Sequence, residues 1–167
     1  MTKRAYVGVL LLGAAIAAAC CGDGGTGTGG TSDGTMSAMI GDTLEWKANA
    51  SVTAKLIDSV LEIEGVERSG KYLKLSIRGV GVDAANPDTD RMFTFAAFSA
   101  ATTGFAFFSE SQDDNFTTTS PGGSGTVTIM RMTATRAEGT FTFVAARPTG
   151  FDPVRRLAQG KFEVRLQ

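Results

Sequence analysis

The chain has no histidine. That absence excludes Ser-His-Asp and Cys-His nucleophile pairs and every imidazole-based metal site. No cysteine follows position 21, so the bulk of the chain carries no disulfide staple. After residue 19 no long apolar run occurs, and no window sustains a capped i, i+3, i+4, i+7 pattern. A large excess of either charge is missing too. Without Lys3 and Arg4 the chain carries 14 basic against 17 acidic residues, a net charge of −3. So mild a balance excludes nucleic acid as the expected partner.

What is present begins with "AYVGVLLLGAAIAAA", residues 5 to 19, behind Lys3 and Arg4. A positive end, an apolar stretch and small residues before a cut are the parts of a secretory signal peptide. As a membrane span the run is short, since a helix needs about 20 apolar residues to cross; a retained anchor helix is the alternative. The only two cysteines, Cys20 and Cys21, follow at once. Three alanines and Cys20 resemble the lipobox of bacterial lipoproteins. The resemblance implies cleavage before Cys20 and acylation of its thiol, with residues 1–19 removed. Ala17 stands where that family more often has Leu. A plain secreted protein with a chance cysteine pair is the other reading. Each buried CH₂ contributes roughly 0.8 kcal/mol, so several acyl chains hold firmly where one holds weakly.

In residues 22 to 34 seven of thirteen are Gly. Such a segment cannot bury enough apolar surface to offset its ordering entropy. Residues 20–35 are therefore expected to be a lipidated cysteine and a flexible tether, spanning about 20 Å over some fifteen residues. No acidic residue directly follows Cys20. By the sorting rule of the lipoprotein family this implies the outer membrane, where the organism has one, facing the periplasm or the cell surface.

Residues 36–167 are 132 residues, enough for one domain with a real core. Their period is two. In "KYLKLSIR" Leu73, Leu75 and Ile77 alternate with Tyr72, Lys74, Ser76 and Arg78, as in a strand buried on one face. "KFEVRL" puts Phe162, Val164 and Leu166 inward, and "GTFTF" does so with Phe141 and Phe143. "VLEIEGV" hides Leu61 and Ile63 and exposes Glu62 and Glu64; "TLEWKA" aligns Leu44, Trp46 and Ala48. Phe93 and Phe95, and then Phe105 and Phe107, are read as inward, which leaves Phe98, Phe108 and Phe116 off that register, expected to pack under a loop or in the second sheet's core, with exposure toward a sugar or a protein partner as the alternative. "GTVTIMRM" loses its alternation at Met130, the mark of a bulge. Residues 51–60 are ambiguous, but their Val, Thr and Ile content favours strand. Turns are expected at Arg68-Ser69-Gly70, at 83–90, at 120–125 and at Arg136 to Gly139. Roughly eight to ten short antiparallel strands imply an all-β sandwich or a small barrel. An outer-membrane barrel is disfavoured because the polar faces are too charged for lipid.

"GSGTVTIMRMTATRAEGTFTFVA", "GKFEVRL" and the opening "MSAMIGDTLEW" together resemble a family of uncharacterised bacterial lipoproteins with an all-β domain of unknown function. The resemblance spans about residues 36 to 167 and departs at "ATRAE", where that family has an Asp- or Asn-rich turn. It implies fold and anchoring, and it carries no site across.

Candidate chemistry is sparse. Glu62 and Glu64 share a strand face about 7 Å apart, a spacing open to paired-acid glycan hydrolysis only if the two lie across a cleft. Asp83, Asp88 and Asp90 in one loop, and Asp113, Asp114 and Asn115 in another, offer oxygens to Ca²⁺ without a dense ligand spacing. Acidic turn formers are the plainer reading, so no cofactor is expected. Arg147, Arg155, Arg156, Lys161 and Arg165 form a basic set interspersed with acids, as on a solvated face. The expected function is a non-catalytic binding or accessory module of the cell envelope, meeting an envelope protein or a glycan; a purely structural lipoprotein is the alternative.

Overall fold

The computed structural model describes residues 33–97, 99, 102–148 and 153–167. The leader, Cys20, the tether as far as residue 32 and Phe98 lie outside the described residues. Within them there is no helix, and eleven strands pair antiparallel throughout. They are β1 (Gly34–Ile40), β2 (Leu44–Lys47), β3 (Ser51–Ile57), β4 (Val60–Val66), β5 (Tyr72–Arg78), β6 (Asp88–Ala96), β7 (Gly104–Ser109), β8 (Asn115–Thr117), β9 (Ser124–Met132), β10 (Arg136–Ala146) and β11 (Val154–Arg165). Gly34 and Thr35, which composition assigns to the tether, are the first residues of β1.

The ladder runs β2-β1-β11-β10-β8-β7-β5-β4-β3 and branches at β10. Val144 to Ala137 of β10 pair with β9, which in turn pairs with β6, whereas Ala146 pairs with Thr117 of β8. The chain therefore folds into two layers, β6-β9-β10-β11-β1-β2 over β8-β7-β5-β4-β3, without closing into a barrel. Backbone bonds tie the layers at their margins. Thr103 N–H donates to the Thr94 carbonyl at 2.9 Å, and Asp33 and Gln167 N–H donate to the Val52 and Ala54 carbonyls of β3 at 2.8 and 3.0 Å. Those last two bonds cover part of an edge that would otherwise recruit another strand.

One core fills the space between the layers. Trp46, Phe95, Phe108, Phe116, Phe143, Leu61, Ile63, Leu73, Leu75 and Ile77 are all fully buried, and they come from both layers. This is the alternation of the sequence made physical, since side chains on a strand point to opposite faces. The bulge expected at Met130 is present: Arg131 pairs with Glu138 and Ile129 with Gly139, leaving Met130 as the extra, exposed residue. The ambiguous 51–60 stretch is β3 with its turn.

Four local expectations are corrected. Phe105 and Phe107 face outward; Phe108 and Phe116, expected to pack under a loop or in the second sheet's core, are core residues at 0% exposure. Pairing decides this: Leu73 stands opposite Phe108 and Leu75 opposite Ala106, so the buried face of β5 dictates the parity of β7. Leu44 is half exposed, because it follows the Gly41 turn at the rim of the core. Arg136 to Gly139 is strand rather than connection, with Ala137 and Gly139 as its inward residues. Asp88 to Asp90 belong to β6, paired to β9 through Asp88 and Arg131, so the loop is shorter than 83–90.

Candidate functional site

The outer face of the β4–β5–β7 layer gathers the side chains with most chemistry. Register sets them in rows across the strands. Glu62 stands beside Ser76 and Phe105; Glu64 beside Lys74 and Phe107; Val66 beside Tyr72 and Ser109. Tyr72, Phe105 and Phe107 are all partly exposed, so three aromatic rings from two adjacent strands border solvent. Tyr72 and Phe107 meet diagonally, with centroids 6.0 Å apart and planes at 58°, an arrangement aromatic pairs favour. Ser76, small between Glu62 and Phe105, is covered by its neighbours and buried.

Charge lies directly against the rings. Lys74 Nζ sits 3.2 Å from Glu62 and 3.0 Å from Glu64, and Lys55 Nζ sits 3.0 Å from Glu62. The hydrogen bond from Lys55 holds the Glu62 carboxyl below its usual range against the opposing effect of burial, and Lys74 adds to it. Burial alone would lower Lys74, but its bonds to Glu64 and Glu62 prevail and raise it. Burial, reinforced by the charge of Glu64, pushes the Tyr72 hydroxyl well above its ordinary value. Its phenol therefore remains a hydrogen-bond donor through the alkaline range. A depression of about 110 Å³ lies beside this network, lined by Thr53, Lys55, Glu62, Glu64 and Gln167.

Glu62 and Glu64 do come together, yet on one ammonium rather than across a cleft. A general acid needs its pKa raised toward neutrality, and Glu62 is shifted the other way. The acidic loops are used locally. The Asp83 carboxylate accepts from the N–H groups of Ala85 and Asn86 at 3.0 and 3.3 Å, an Asx turn. Asp88 lies 3.7 Å from Arg131, and Asp90 takes a φ of 40° in β6. Among the described residues no three His, Cys, Asp or Glu side chains are grouped as a metal would require. In the second loop Asp114 pairs with Arg147, and the Asn115 amide donates to the Gln112 carbonyl at 3.2 Å.

Two members of the basic set are likewise committed. Arg155 grips Glu110 through two bonds of 2.9 and 2.7 Å, and both Arg155 and Arg147 lie over the Phe116 ring at 4.8 and 5.6 Å. They clasp the β7–β8 loop to β10 and β11. The opposite outer face, on β9, β10 and β11, is a field of hydroxyls. Thr126 pairs with Thr142, Thr128 with Thr140, and Thr140 with Lys161 over a broad, open depression of about 450 Å³. It has room without anchors, whereas the β4–β5–β7 face has rings, donors and acceptors.

Sequence reasoning missed the aromatic strip because it assigned Phe105 and Phe107 to the core. A signal existed: a strand with phenylalanine at both parities must expose one set, and Gly104-Ala106-Phe108 fits against Leu73 and Leu75.

Over the described residues the fold and this face define an antiparallel β-sandwich with a partly exposed aromatic and charged strip on one layer. The chain belongs to the family described as Domain of unknown function (DUF6252), which matches residues 33–164 and so spans the sandwich almost from end to end. No curated protein and no solved structure matches the chain.

Proposed function

We propose that the protein is an exported lipoprotein, held to the outer membrane through acylated Cys20, whose β-sandwich is a non-catalytic binding module of the cell envelope. The alanine-cysteine site, the glycine-rich tether and the absence of an acid after Cys20 support the anchor and its destination. The observation that carries the binding role is the strip of Tyr72, Phe105 and Phe107 beside the Lys74–Glu62–Glu64 network. Rings left partly exposed in the middle of a sheet forfeit burial that an outward Thr or Lys would not need, and aromatic residues with nearby polar groups are the typical composition of recognition surfaces. The lysine-bound carboxylates speak against hydrolysis, since neither is set apart as a proton donor.

The test has two arms. Detergent phase partition of cell extracts is expected to find the natural chain in the detergent phase and the Cys20→Ser chain in the aqueous phase. The released chain is then expected to sediment with purified envelope fragments, and Phe105→Ala with Phe107→Ala is expected to abolish that sedimentation. A Cys20→Ser chain that stays in the detergent phase sinks the anchor. A released chain that never sediments with envelope leaves only a structural lipoprotein.

A further inference from the structure

We infer that the Tyr72–Phe105–Phe107 strip takes a neutral glycan chain, a polymer of hexopyranose rings bearing free hydroxyls; this rests on the binding-module reading. The rings come from adjacent strands of a packed sheet, so their backbones are already fixed. Phe105 and Phe107 are two residues apart, about 7 Å along the strand, and Tyr72 lies diagonal to Phe107. Such side chains offer large apolar area with few rotatable bonds, so little entropy is lost when a ligand covers them. The apolar faces of pyranose rings suit that kind of platform.

Charge decides the polymer's sign. Lys55 and Lys74 balance Glu62 and Glu64, and every member of the four is engaged by an opposite charge, while the one further charge on these strands' outer face, Arg78, stands at the Val60 end beyond them. A polyanion would meet two carboxylates, and a polycation two ammonium groups. Hydroxyls are repelled by neither. An ammonium has three donors and a carboxylate about four acceptor positions, so each group keeps capacity beyond its ion pair. The Tyr72 hydroxyl gives its one proton to Glu64 and keeps acceptor capacity for a sugar hydroxyl. The depression lined by Lys55, Glu62, Glu64 and Gln167 continues this polar rim away from the rings and gives a hydroxymethyl group a seat.

The same layout disfavours a protein partner. Of the aliphatic residues on this face, Ile57 and Val60 stand at the hairpin end, and Val66 stands beside the strip at Tyr72 alone. Lys74, Glu64 and Glu62 border the rings on β5 and β4, so the apolar surface stays a narrow strip instead of the broad patch that protein docking uses.

The experiment uses the full-length chain in a polyoxyethylene detergent, which carries no sugar headgroup. Native electrophoresis is run through gels containing neutral polysaccharides (laminarin, hydroxyethylcellulose, mannan and galactan), or alginate as the anionic control. Retardation is expected in at least one neutral gel and is expected to survive added salt. Phe107→Ala and Phe105→Ala are each expected to weaken it by about tenfold, and Tyr72→Phe less, because the ring remains. Trp46 emission confirms that each variant is folded. Retardation in no neutral gel overturns the assignment, as does retardation unchanged in both Phe variants, or retardation only in alginate and lost with salt. If envelope fragments still bind the chain while every neutral gel fails, the binding module stands and only its glycan identity falls.

Discussion

Asp58 and Ser59 carry φ angles of 51° and 63° between Ile57 and Val60, which pair across the turn. A two-residue loop with both central residues at positive φ is a type I′ turn, whose twist matches that of the strands it joins. Asp tolerates this conformation through its short polar side chain; Ser does so less well. Ser59→Gly keeps the turn and removes the clash of Cβ with the following carbonyl. The variant is expected to be more stable by about 0.5–1 kcal/mol, the left-handed penalty less the entropy that glycine costs. A higher urea midpoint at unchanged slope checks it, and a lower midpoint would mean that the Ser59 hydroxyl does something the backbone does not reveal.

At the scale of elements, β7 shows what the sequence can say and where it stops. Strands with one apolar parity, such as β4, β5 and the end of β11, are legible directly: Leu61, Ile63, Leu73, Leu75, Phe162 and Val164 are where alternation puts them. In β7, Phe105 and Phe107 compete with Phe108, and only the long-range pairing with β5 chooses between them. The start of β10 is illegible for a different reason. Its inward residues, Ala137 and Gly139, are small because Phe162 packs over Gly139, so the apolar signal is carried by another strand. The parity of β7 has a measurable consequence. Phe108→Ala empties a fully buried site and is expected to cost about 3–5 kcal/mol; Phe107→Ala, on the wet face, is expected to cost a fraction of that. Equal losses in urea denaturation would contradict the pairing. The site itself was half legible. Alternation places Glu62, Glu64 and Lys74 outward, but their convergence depends on the register of β4 against β5.

That β4–β5 pairing also sets a pH response. The Glu62 carboxyl is lowered from 4.5 in the folded chain. Its contribution is therefore present above the unfolded value and lost as pH falls through the folded one. Tyr72 is raised above 10.0 and Lys74 above 10.5, so their contributions are present below those values and lost as pH rises past them. Thermal midpoints measured across pH are expected to fall on both sides of a neutral plateau. Glu62→Gln is expected to flatten the acid limb and, because Glu62 helps to raise Lys74 and Tyr72, to shallow the alkaline limb as well. Tyr72→Phe is expected to shallow the alkaline limb and leave the acid limb untouched. A Glu62→Gln chain that keeps the full acid slope would show that the Lys55 and Lys74 contacts do not persist in solution.

For the whole molecule the question is whether the two layers unfold together. The chain's single tryptophan answers it, because Trp46 sits on β2 of one layer and reaches β4 of the other. A Cβ placed on Gly65 would come within 2.9 Å of the Trp46 ring and 3.0 Å of both Ala48 and the Met36 sulfur. The indole is fully buried, so its emission reports inter-layer contact, while far-ultraviolet circular dichroism reports the strands of both layers. A single core and the β8–β10 link leave neither layer an apolar face it can bury alone. The two signals are therefore expected to change at one denaturant concentration, as in all-or-none unfolding. Gly65→Ala pushes the layers apart where Trp46, Ala48 and Met36 crowd against β4. It is expected to cost about 1–3 kcal/mol and to shift both signals to the same lower midpoint. If the indole reddened first while the strand signal held, the layers would be separate cooperative units joined at their margins, and the sandwich would owe its stability to the ladder instead of the shared core.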